Sequence, residues 1–190
     1  MMIAMMVPSS APVLVLFART RARKGSGVAV PVALFAAGYI AVWIGFSLAA
    51  ASLQFLLHEF ALLSPRMSVS NRYLAGALLT GAGLFQFTPL KYACLSQCRS
   101  PLGSLMSYWR DGRIGAFLMG SRQGIFCLGC CWAEMLILFV VGIMNLTWIV
   151  LLAAFVMIEK LSAGGRFISR AGGALMIGAG FYLIIGQWVR

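Results

Sequence analysis

GVAVPVALFAAGYIAVWIGFSLAAASLQFLL, residues 27–57, contains no charged side chain. A bilayer core about 30 Å thick is crossed by roughly 20 helical residues, so this stretch is long enough to span it. It is rich in Gly and Ala, and Tyr39 and Trp43 are its aromatic anchors. A helix satisfies its own backbone hydrogen bonds, which is what lipid demands of any crossing segment.

The rest of the chain has the same character. Of its 190 residues, 62% are hydrophobic and 10% charged, with a mean hydropathy of +0.94. Soluble domains carry about 25% charged and about 45–50% apolar residues. Too few polar groups remain to cover a water-facing surface, which excludes a soluble globular domain. The expectation is all-α: one integral membrane helical domain over residues 1–190, a polytopic transmembrane bundle of about five to six spans.

Further spans are expected at 72–88, 115–141, 146–158 and 171–189. Residues 1–18, interrupted by Pro8, Ser9, Ser10 and Pro12, read as a short kinked helix at best. Residues 89–113 read as the longest polar connection, and Asn145 as a tight reversal. The small residues Gly76, Gly81, Gly83, Gly172, Gly173, Gly178 and Gly180 allow close helix packing.

The net charge is +11, from 15 Lys and Arg against 4 Asp and Glu. No basic module stands apart from the apolar spans, so nucleic acid is not an expected partner. Twelve of the 15 basic residues fall in segments 19–24, 91–122 and 160–170, which share one side if every span crosses. That bias makes this side cytoplasmic and sends the N-terminus outward. The partner implied is the lipid bilayer, and the location a multi-pass place in a plasma membrane.

All 5 cysteines, Cys94, Cys98, Cys127, Cys130 and Cys131, lie within one short part of the chain. On this topology Cys94 and Cys98 sit in a cytoplasmic loop, and the other three in the first turns of the following helix. The cytosol keeps thiols reduced, and an odd count opposes full pairing. Cys94 and Cys98 share a face if their segment is helical. At about 100° per residue, Cys127, Cys130, Cys131 and Glu134 share an arc of about 100°. Thiolates favour soft or borderline ions: Cu(I), Zn(II) or an iron–sulfur cluster. Inert packing of small buried thiols is the competing reading.

Glu134, a carboxylate within a span, reads as a ligand, an ion-pair partner of Arg122 or Arg113, or a proton site. Glu159 reads as paired with Lys160 at a helix end. Met1, Met2, Met5 and Met6 fall near one face and offer thioethers to Cu(I), Met5 and Met6 above all. His58 is the sole histidine, so no Cys–His or Ser–His–Asp set exists, and the balance is against an enzyme.

Several blocks recur in a known order: Met5-Met6-Val7-Pro8-Ser9, Thr88-Pro89-Leu90-Lys91, Cys98-Arg99-Ser100-Pro101, Gly129-Cys130-Cys131-Trp132, Gly142-x-Met144-Asn145-Leu146 and Glu159-Lys160. Over nearly its whole length the chain resembles a bacterial family of predicted metal-binding integral membrane proteins. The resemblance implies a bacterial inner-membrane location and a bound metal. It also implies histidine where this chain has Gln97 and Gln123, an apolar residue in place of Glu134, and a further helix ahead of the Met-Met segment. Losing both imidazoles leaves a site of purer sulfur character and shifts preference toward Cu(I).

The expected function is therefore copper handling or trafficking by an inner-membrane protein, with a metal chaperone or membrane complex as partner. Cys94, Cys98, Cys127, Cys130 and Cys131 supply thiolates, and Glu134, Met5 and Met6 assist. A two-station relay would run between an outer Met group and a cytoplasmic Cys group. Two other classes stay open: an accessory subunit packing through its Gly-rich spans, and a membrane thiol oxidoreductase using a thiolate of depressed pKa.

Overall fold

The computed structural model describes residues 2–23, 27–59, 72–141, 146–162 and 164–185. Met1, Arg66, the Met144–Asn145 reversal, Trp188, Arg190 and the side chain of His58 lie outside the described residues. Every regular element among the described residues is a helix: α1 Met2–Arg23, α2 Ala29–Glu59, α3 Arg72–Phe85, α4 Pro89–Arg99, α5 Pro101–Ser107, α6 Gly112–Val141, α7 Leu146–Leu161 and α8 Gly165–Ile185. Three of them, α2, α6 and α8, are long and apolar enough to cross a membrane. With 14 and 16 residues, α3 and α7 are shorter than the roughly 20 that a full crossing takes.

The first helix departs from expectation, since α1 runs for 22 residues through both prolines. The Ser9 hydroxyl donates to the Met6 carbonyl and that of Ser10 to the Val7 carbonyl, both at 2.8 Å. Each proline removes one N–H from the helical ladder, affecting the carbonyls of residues 4 and 8, and the helix continues across both gaps. The expected polar connection at 89–113 is largely helical, forming α4 and α5. Each begins with proline, at Pro89 and Pro101, where the missing N–H costs nothing. Ahead of α4, the Thr88 hydroxyl accepts the Lys91 N–H at 3.4 Å and donates to the Phe85 carbonyl at 2.7 Å.

The chain divides into two compact units. The first comprises residues 1–49 and 93–130, the second 50–92 and 131–190. In the first, Phe17 of α1 stacks on Phe35 of α2 with ring centroids 4.8 Å apart, in a core shared with Val13, Leu105, Ala116 and Met119. The α2–α6 approach depends on glycine: a Cβ on Gly120 would strike the Phe35 carbonyl, and one on Gly38 the Phe117 carbonyl. Gly112 opens α6 with φ +89°, a conformation side chains other than hydrogen rarely adopt.

In the second unit, α3 and α8 pack antiparallel along glycines. A Cβ on Gly76 would lie 2.8 Å from the Gly180 carbonyl, and one on Gly83 2.8 Å from that of Gly173. Small residues at such a crossing let the backbones approach, and dispersion contacts then hold them together. The last helix begins at Gly165, six residues before the expected start of its span.

Candidate metal centre

Cys94 and Cys98 lie on α4 at i, i+4, so its helical register puts both on one face. The Cys94 thiol lies against the backbone of Gly129 on α6, where a Cβ would come within 2.7 Å of its sulfur. Any side chain at that position would displace the thiol. Burial raises the Cys94 pKa above the usual thiol value, and the neighbouring Cys130 raises it further. Cys98 is half-buried.

Cys127, Cys130 and Cys131 are almost wholly buried, at 3%, 2% and 1% exposure. Their depth corrects the expected placement. The helix begins at Gly112, so these thiols lie near its middle and not in its first turns. The Cys130 thiol donates to the Cys127 carbonyl at 3.1 Å. The Cys127 sulfur lies 3.1 Å from the Tyr39 hydroxyl, which donates to the Met6 carbonyl at 3.1 Å. With the phenol proton spent on Met6, the Cys127 thiol is the donor to the phenol oxygen.

One unit thus brings together Cys94, Cys127, Cys130, Tyr39 and the buried Met5 and Met6 of α1. A relay between a distant Met group and the thiols loses its basis, because a single phenol links the Met6 backbone to Cys127. Tyr39 was legible only as an anchor, although a buried phenol needs a hydrogen-bond partner and so points to a polar neighbour. Cys131 follows on α6 as the first residue of this helix in the second unit.

None of the five cysteines is part of a disulfide. Among the described residues, no three Cys, His, Asp or Glu side chains are already gathered as a metal-ligand set. The buried Gln123 lies one turn before Cys127 on α6, and Gln97 adjoins Cys98 on α4.

Glu134 is engaged elsewhere. In the second unit its Oε1 accepts from Lys91 Nζ at 2.5 Å and from Gln86 Nε2 at 2.9 Å. Neither Arg122 nor Arg113 is this partner; the Arg122 guanidinium lies over the Tyr108 ring, 3.3 Å from its centroid. Glu159, expected to pair with Lys160, makes an ion pair of 2.8 Å with Lys91.

The raised Cys94 pKa has a direct consequence. A thiol of higher pKa is less ionised at neutral pH, and only the thiolate is alkylated. Iodoacetamide should therefore modify Cys94 more slowly than a free cysteine at neutral pH, and its rate should climb as pH rises. Mass spectrometry of the labelled peptide measures this, and a rate at or above that of free cysteine would contradict the burial described.

No curated protein and no solved structure matches the chain. A family model described as PpoB2, copper chaperone, matches residues 1–183. Free sulfur donors and a match over almost the full length agree in chemistry, and the chain belongs to the PpoB2 copper chaperone family.

Proposed function

We propose that the chain is a multi-pass protein of the bacterial inner membrane that takes up Cu(I) on thiols of its first unit and passes it to an acceptor. Cys94, Cys127 and Cys130 are the central donors, Cys98 is a further thiol of the same unit, and Met5 and Met6 supply thioethers. The observation that carries this reading is the meeting of Cys94 with Cys130 across Gly129, beside Cys127 and the Met6 segment. Family membership supports a copper-handling role in general.

The donor set favours copper as cargo over zinc. Structural zinc takes a closed shell of four ligands, and no such shell is gathered among the described residues. Cu(I) is soft and accepts two or three sulfur donors. A low coordination number also suits a carrier, because an incoming thiol from a partner can displace one donor at a time. Glu134 is left out of the donor set because it belongs to the second unit, where its Oε1 accepts from Lys91 and Gln86.

Elemental analysis of the detergent-purified, reduced chain tests the proposal. Wild type exposed to Cu(I) should hold near-stoichiometric copper, and the Cys94→Ser/Cys130→Ser variant should lose it. Failure of the reduced wild type to take up Cu(I), or full loading of the variant, would overturn it.

A further inference from the structure

The second unit encloses a polar network remote in chemistry from sulfur. Lys91 Nζ, from α4, contacts Glu134 Oε1 of α6 at 2.5 Å and Glu159 Oε1 of α7 at 2.8 Å, and donates to Gln86 Oε1. The Ser169 hydroxyl of α8 donates to Gln86 Oε1 at 2.8 Å, and Gln86 Nε2 donates to Glu134. Lys91 and Gln86 are fully buried, and Glu134 and Glu159 are 1% and 2% exposed.

The charges do not balance. One ammonium faces two carboxylates, leaving a net charge of −1 if both are ionised. An enclosed, uncompensated charge is costly enough that such a group neutralises by taking up a proton. Glu134 Oε2 is buried with no hydrogen-bond partner among the described residues, so it is an oxygen open to that proton. Burial alone would lower the Lys91 pKa, but Glu134 and Glu159 outweigh it and the net shift is upward, which keeps Lys91 an ammonium. Among the other cations, Arg170 donates to the Tyr92 hydroxyl at 3.2 Å and Arg166 lies over the Tyr92 ring. Lys160, buried on α7 next to Glu159, is not among the charges acting on Glu134, which are those of Lys91 and Glu159.

We propose that Glu134 is a proton-binding site that holds one exchangeable proton on its unpartnered Oε2, with Glu159 as the neighbouring negative charge and Lys91 as the fixed cation. Binding takes a proton from solvent onto one carboxylate and brings the triad to neutrality; release returns the proton and leaves a charge of −1. The site does not depend on copper.

Infrared spectroscopy of the purified full chain in detergent, without copper, reads it directly. The chain has only 4 acidic side chains, and the other two, Glu59 and Asp111, are exposed, so the background is small. Near neutral pH the wild type should show one protonated carboxyl C=O band that shifts in deuterated water. Glu134→Gln and Glu159→Gln should each abolish it, because each leaves one carboxylate balanced by Lys91. Glu59→Gln should retain it. Both glutamine variants mimic the neutral acid in shape, so their folding is preserved, and circular dichroism checks this.

With pH rising, the band should fade as the proton leaves. Absence of the band in folded wild type throughout the neutral range would overturn the proposal, as would a band that survives in both single variants. A tightly held alkali cation in the wild type, found by elemental analysis in place of the band, would also overturn it, since that ion would then supply the missing charge.

Discussion

Replacing Lys91 with methionine is expected to destabilise the folded chain by about 3–5 kcal/mol, the usual cost of removing one partner from a buried ion pair. The effect is large because Lys91 serves two carboxylates at once, Glu134 at 2.5 Å and Glu159 at 2.8 Å, from a position with no exposure. Methionine nearly conserves the volume of the stem, so the loss is of charge and hydrogen bonds and not of packing. Gln86 and Ser169 would remain in place but could not supply a cation. Thermal unfolding in detergent should fall by on the order of 10 °C. The deficit should shrink on acidification, since protons then neutralise what Lys91 no longer balances. Adding Glu134→Gln and Glu159→Gln to Lys91→Met removes the orphaned carboxylate charge and should recover much of the loss. A Lys91→Met chain as stable as wild type at neutral pH would show that the pair contributes nothing.

The importance of Lys91 was not legible in the sequence. There it stood among the basic residues that bias topology, because charge counting treats every cation between spans alike. Its partner Glu134 lies 43 residues away, and no local periodicity links positions so far apart. Glu159 was assigned to Lys160 by adjacency, although neighbouring residues on a helix do not face each other. The helical character of the chain was readable for the opposite reason, since it follows from local composition. Hydropathy located α2, α6 and α8 within a few residues. It misjudged α1, where the helix continues through two prolines, and it missed α4. The start of α4 carries a hydroxyl residue followed by proline at the first helical position, a helix-start signal that a reading by hydropathy alone passes over. The cysteine clusters were identified from residue type and spacing. Their depth was not, because it depends on α6 starting at Gly112. Tyr39 escaped because aromatic anchors and buried hydrogen-bonding phenols look identical until a partner is placed beside them.

Gly120→Leu is expected to separate α2 from α6 and to lower copper loading by about 10- to 100-fold, the range seen when a group supporting a metal ligand is lost. The argument starts from register. Gly120, Gly124 and Cys127 recur at i, i+4 and i+7 on α6, so one face carries two glycines and then the thiol. Opposite them on α2 stand Phe35, Gly38, Tyr39 and Val42. A Cβ on Gly120 would strike the Phe35 carbonyl and lie 2.9 Å from the Phe35 Cα, while one on Gly124 would lie 3.2 Å from the Tyr39 carbonyl. These obstacles are backbone atoms, which cannot swing aside as a flexible side chain would. A leucine at 120 must therefore push the helices apart, at a cost of about 1–3 kcal/mol or more for overpacking. The displacement falls two turns from the 3.1 Å contact between Tyr39 and Cys127, and that contact depends on the same close approach. Gly45→Leu is the matched control. It lies on α2, the helix that Gly120 faces, and a Cβ there meets nothing within 4 Å, so stability and copper loading should both hold. Gly120→Ala should fall between the two, because a single methyl demands a smaller displacement. Equilibrium Cu(I) competition against a chromogenic chelator measures all three variants. Wild-type loading in Gly120→Leu would separate the α2–α6 approach from the thiol site. A loss confined to the Gly120 variants would mean that the glycine face, through Tyr39, sets the position from which Cys127 meets its cargo.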